Sequence, residues 1–97
     1  MEIEVRCFAA AREAAGTREF ILDVPRGVTV GEFREILFAT HHGLRNLSLQ
    51  FALNMVYVGH SRSGAELASP DGAAAVTFDT ELRPGDVIAC IPPVGGG

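Results

Sequence analysis

The sequence predicts an α+β domain, a mixed sheet with one main helix packed across one face. Three observations carry that expectation. Residues 2–8 alternate strictly, Ile3, Val5 and Cys7 against Glu2, Glu4, Arg6 and Phe8, which is the period-two pattern of a half-buried strand. Residues 29–32 read TVGE, a capping box in which Thr29 and Glu32 each satisfy an orphan amide of a first helical turn. Beyond that helix the chain returns to strand-like text, and two strands, a helix and further strands make a sheet with a helix on one side.

Taken in order, the first strand ends on Phe8, an aromatic on an otherwise charged face. Residues 9–16 (AAAREAAG) give a short helical or turn connection closed by Gly16. Residues 18–24 alternate Phe20, Leu22 and Val24 against Glu19, Ile21 and Asp23, a second strand paired with the first. The main helix is expected over 30–42, with Val30, Phe33 and Leu37 on its buried stripe and Gly43 as its stop. Residues 48–58 are apolar on both faces, the profile of a central strand. Residues 59–75 are small, polar and turn-forming, a long and dispensable loop. A short strand near 76–78, a tight turn at 82–86 with Pro84 and Gly85, and a last strand over 86–91 complete the expectation. The predicted core includes Val5, Phe33, Leu37, Ile88 and Cys90.

Ninety-seven residues suffice for one domain and not for two. At 47% hydrophobic and 21% charged, the chain can bury a core. No apolar run approaches the roughly 18 residues of a membrane helix, and no secretory h-region opens the sequence, so no membrane partner is expected. Eight basic against twelve acidic residues give a net charge of −4, which argues against a duplex nucleic-acid partner. All eight basic residues are Arg. A Schiff-base lysine, a P-loop lysine and lysine-linked conjugation of this chain to itself are thereby excluded. Two cysteines, Cys7 and Cys90, read as small apolar strand residues in a reducing, cytoplasmic setting. His41, His42 and His60 lack metal-ligand spacing and read as surface residues, so no metal site is expected.

The chain ends PPVGGG. Pro92 and Pro93 remove two amide donors and cannot extend the sheet, so the chain leaves it there. Val94 and three glycines (Gly95, Gly96, Gly97) follow, narrow enough to thread a channel. Six extended residues span roughly 20 Å, enough to carry a terminal carboxylate into a partner.

Residues 6–16 (RCFAAAREAAG), 51–54 (FALN), 82–86 (LRPGD) and 91–97 (IPPVGGG) resemble the small subunits of molybdopterin synthase, a family of ubiquitin-like β-grasp sulfur carriers. The resemblance spans nearly the whole chain. Gly95 stands where the family usually has Ser or Thr, and the 59–75 loop is longer than usual. The resemblance implies a β-grasp domain over 1–91 and a flexible tail over 92–97. It implies that an adenylating enzyme of the ubiquitin-activating type consumes ATP to convert the Gly97 carboxylate into an acyl-adenylate. Sulfur from a persulfide donor then leaves a thiocarboxylate, and no cofactor is held by this chain. Docked into the large synthase subunit, in a heterotetramer of two small and two large subunits, the thiocarboxylate would donate sulfur to cyclic pyranopterin monophosphate to build the molybdopterin dithiolene. The chain would be non-catalytic alone and would contribute the reactive terminus. Phe8, Tyr57 and Ile91 match apolar positions the family uses against the large subunit, and Arg12 joins them. Two alternatives stay open: a carrier for thiazole or transfer-RNA thiolation, or a protein modifier, and an interaction module whose tail is inert.

Overall fold

A computed structural model describes residues 1–59 and 76–92. Strand β1 (Glu2–Cys7) forms where the sequence alternates, with Ile3, Val5 and Cys7 buried. A six-residue helix, α1 (Ala10–Ala15), closes on Gly16 in the left-handed region and turns the chain into β2 (Glu19–Asp23). The pair is antiparallel, with Val5 opposite Phe20 and Arg6 opposite Glu19. After the break at residues 25–27 comes α2 (Val30–Thr40), then the one-turn α3 (His42–Arg45), β3 (Gln50–Leu53), β4 (Val56–Tyr57) and β5 (Val87–Ile91).

The strands order as β2-β1-β5-β3-β4, with β1 and β5 parallel and every other pair antiparallel. This is the α+β arrangement expected, the β-grasp. Val30, Phe33 and Leu37 of α2, together with Leu44 of α3, pack into one core with Ile3, Val5, Phe51, Leu53, Ile88 and Cys90. The five residues predicted as core are all buried.

The helix starts as the capping box requires. The Glu32 amide donates to Thr29 Oγ1 at 3.2 Å, and the Thr29 amide donates to Glu32 Oε1 at 2.9 Å. The next two donors are met from a distant segment, since the Val30 amide reaches the Thr80 carbonyl and the Gly31 amide the Phe78 carbonyl, both at 2.9 Å. With those bonds, the amides of the first helical turn are satisfied.

Four expectations need correction. Residues 48–58 form a hairpin instead of one central strand: β3 lies inside the sheet between β5 and β4, β4 is its edge, and β5 is the middle strand. The reversal is made by Asn54 and Met55, both at positive φ (49° and 73°), as a two-residue hairpin turn demands. Asn54 holds it through long-range bonds: its Nδ2 donates to Asp86 Oδ1 at 3.0 Å, and its Oδ1 accepts from the Val87 amide at 2.9 Å. Gly43 does not stop the main helix. That helix ends at Thr40, and Gly43 lies inside α3, where a Cβ would meet the Ala14 carbonyl at 2.9 Å. Its small size serves a close approach of α3 to α1. Residues 76–78 make one isolated bridge, Gly59 to Thr77, instead of a strand, because their neighbourhood is spent on the start of α2. Finally, His41 is half-buried against Phe20, with ring centroids 4.2 Å apart, instead of lying on the surface.

Candidate functional site

The parallel strands β1 and β5 end together, with Cys7 opposite Cys90 and the Phe8 amide donating to the Cys90 carbonyl at 3.2 Å. Both strands expose at this end what their alternation keeps off the core. Phe8 is 49% exposed, and Ile91, the last residue of β5, is half-buried while Cys90 is fully buried. Pro92 follows Ile91 here, which places the root of the 92–97 tail beside Phe8. Pro93, Val94, Gly95, Gly96 and Gly97 lie outside the described residues, as does nearly all of the 59–75 loop.

Directly after Phe8 the backbone turns sharply. Ala9 takes φ 50° and ψ −125°, a region costly for a residue with a Cβ, by about 1–3 kcal/mol. The turn starts α1 and brings Arg12 to a cavity of about 280 Å³ that Phe8 also lines, with Ala9, Arg6, Arg18 and Glu19. Arg6 Nε donates to Glu4 Oε2 and stands 4.0 Å from Glu19 Oε2. The Glu4 bond, first, and the charge of Glu4 hold the Arg6 guanidinium above its ordinary pKa.

The register carries this end of the sheet across to Tyr57. On the face away from α2, the paired residues run Glu19, Arg6, Ala89, Ala52, Tyr57. The row is charged on β2 and β1 and apolar on β5, β3 and β4. Tyr57 is 60% exposed, and Ile91 lies on the same face opposite Gln50. The structure therefore groups Phe8 and Arg12 at one cavity, sets Ile91 at the neighbouring strand end, and places Tyr57 farther along the same face on β4. Arg6 and Arg18 were not singled out from the sequence. An antiparallel β1–β2 pairing with Arg6 opposite Glu19 brings Arg18 beside Cys7, whose amide donates to the Arg18 carbonyl at 2.8 Å. That register was the available signal.

The cysteines are not a reactive set. Both are reduced and buried. The Cys7 and Cys90 side chains interact, and this contact together with burial pushes the Cys90 pKa far above the ordinary thiol range, which keeps it protonated. No cluster of three or more His, Cys, Asp or Glu is arranged to hold a metal among the described residues. Among the same residues no helix is long and apolar enough to cross a membrane. The chemistry this surface can perform is recognition: apolar anchors, guanidinium donors and the exit of a narrow tail.

No family model matches the chain. It is 33% identical over 97 residues, covering all of both chains, to the small archaeal modifier protein 3 of Haloferax volcanii. It is 31% identical over 99 residues, again covering all of both, to the molybdopterin synthase sulfur carrier subunit of Chlamydomonas reinhardtii. Among solved structures, a complex of subunits 1 and 2 of the molybdopterin-converting factor from Helicobacter pylori contains a chain that matches at a TM-score of 0.61 and 26% identity, with full coverage of both.

Proposed function

The chain belongs to the ubiquitin-like sulfur-carrier family that includes molybdopterin synthase small subunits, and from that premise we propose that it is the sulfur-donating subunit of a molybdopterin synthase. The observation that carries the proposal is the exit of the chain at Pro92, beside exposed Phe8 and half-buried Ile91, six sequence positions from and including the terminal Gly97.

A carboxylate is a poor electrophile, and attack of the Gly97 carboxylate on ATP, catalysed by an activating enzyme of the ubiquitin type, yields an acyl-adenylate and pyrophosphate. The terminal sulfur of a donor persulfide displaces AMP, and a second thiol cleaves the resulting S–S bond to leave the Gly97 thiocarboxylate. That group is ionised at neutral pH and is a strong nucleophile. Phe8, Arg12, Tyr57 and Ile91 seat the domain on the large subunit, and the tail over 92–97 delivers the sulfur to cyclic pyranopterin monophosphate. Two transfers build the dithiolene, in an assembly of two small and two large subunits. Acids and bases for the chemistry come from the large subunit, since the described surface of this chain has no nucleophile set beside a base. Consumption of ATP and of a reduced persulfide fits a cytoplasmic setting.

The experiment is adenylation and sulfuration of the purified chain, followed by intact mass. The expected result is exchange of one terminal oxygen for sulfur, lost when one residue is added after Gly97. Such an addition displaces the carboxylate by about 3.5 Å, more than near-attack geometry accepts. Full activity of a variant with an uncleaved C-terminal extension would refute the reading.

A second reading is favoured by the kinship to a small archaeal modifier protein: the acyl-adenylate passes to a lysine of a target protein instead of to sulfur. Recovery of the chain from native cells, isopeptide-linked through Gly97, would select it.

A further inference from the structure

In a chain with a net charge of −4, three of the eight arginines line one cavity. Arg6 is engaged by Glu4 and Glu19. Arg12 and Arg18 have no carboxylate within ion-pair distance among the described residues, although both are exposed and the chain has twelve acidic side chains. The cavity is also lined by the exposed ring of Phe8, and the strained Ala9 turn is what brings Arg12 there.

We propose that Arg12 and Arg18 together receive one carboxylate of the large synthase subunit, from an Asp or Glu whose apolar neighbour seats on Phe8. The proposal rests on the synthase reading above. Arg12 is already an interface residue by resemblance; the new element is Arg18, and the sharing of a single carboxylate between the two.

Four features select this occupant. Guanidinium forks match a carboxylate bidentately. Glu19 on the same wall opposes a second negative charge, which disfavours a polyphosphate. The guanidiniums are exposed, so a free anion competes with water at every donor, whereas a carboxylate delivered with an apolar neighbour covers Phe8 and excludes that water. The cavity also adjoins the root of the tail, so whatever protein accepts the tail must pass over it. Charge pairs at such a rim set orientation and encounter rate as well as affinity. Here they would fix the angle at which residue 92 faces the large subunit.

The test is calorimetric titration of the full chain with the large subunit, at low and high salt. Arg18→Glu is expected to weaken binding about tenfold or more, and Arg18→Gln by less. Arg12→Glu should resemble Arg18→Glu, and the double variant should lose less than the product of the two, because both arginines hold one group. The salt dependence of the wild type should shrink in each variant. Melting curves should match the wild type, since both side chains are exposed.

Wild-type affinity in Arg18→Glu, or a double variant equal to the full product, would overturn the shared carboxylate while leaving the synthase reading intact. Weakening seen only with the activating enzyme would overturn it as well. Failure of the wild type to bind the large subunit at all would remove the synthase reading and this inference together.

Discussion

The two faces of the sheet are built from alternate residues of the same strands and do different work. On the helix side, Ile3, Val5, Cys7, Ile88 and Cys90 are buried under α2 and α3. One residue along, Glu4, Arg6, Ala89 and Ile91 face away. On that second face the row through Glu19, Arg6, Ala89, Ala52 and Tyr57 is charged on β2 and β1 and apolar on β5, β3 and β4. Ala52 belongs to the open face and is buried, yet it stands outside the helix-side core. The contrast teaches that a strand's period of two lets one segment hold the fold with one set of alternate residues and present the other set on the open face. A substitution on one face should then leave the other's task untouched.

The largest effect expected is on stability from the covered face. Phe33 is fully buried in the N-terminal half of α2, and Phe33→Ala should cost about 3–5 kcal/mol through lost burial and the cavity left behind. Denaturant unfolding measures it. A loss below about 1 kcal/mol would break the comparison, because the helix would then not be what secures this face.

Next come Phe8→Ala and Ile91→Ala, which should each weaken the complex with the large subunit by about 2 kcal/mol, the scale of an interface anchor. The unfolding midpoint should move little for Phe8→Ala and somewhat more for half-buried Ile91→Ala. Calorimetry of the complex beside melting of the free chain separates the two effects. Unchanged affinity with a sharply lowered melting temperature would place these residues in the core.

The smallest effect sharpens the boundary between the faces. Met55 holds φ 73° at the tip of the β3–β4 hairpin and is 96% exposed. Met55→Gly removes a left-handed strain of about 1 kcal/mol, equivalent to roughly 4–8 °C in a domain of this size. Little packing is lost in exchange. Thermal melting should show the rise, and a fall would mean that the Met55 side chain packs more than its exposure indicates.

The legible and illegible parts of this molecule differ by the range of the contacts involved. Strand β1 and the start of α2 could be read directly, the first from alternation and the second from Thr29 and Glu32. Phe8 was legible as an exposed aromatic because it broke a charged face. The hairpin over 50–57 was not, because Asn54 and Met55 lack the glycine that usually marks such a turn, and the bonds that stabilise it come from Asp86 and Val87. Gly43 carried an ambiguous signal: a glycine after a helical stripe reads as a stop, whereas here it admits the Ala14 carbonyl. Arg18 is unmarked by its own sequence pattern, and only the β1–β2 register brings it beside Cys7.

The sequence by itself determined what is encoded within a turn or a strand's length: which residues alternate, where a helix can be capped, the absence of lysine and the narrow PPVGGG terminus. Only the tertiary structure decided which strand lies at the centre, that the carbonyls of Phe78 and Thr80 complete the first turn of α2, and that Arg12 and Arg18 share a cavity. The physical reason is distance along the chain. Periodicity and capping are set by neighbours a few residues apart, whereas the parallel pairing of Cys7 with Cys90 joins opposite ends of the sequence. That pairing is chosen by which edges and apolar faces the whole chain can satisfy at once.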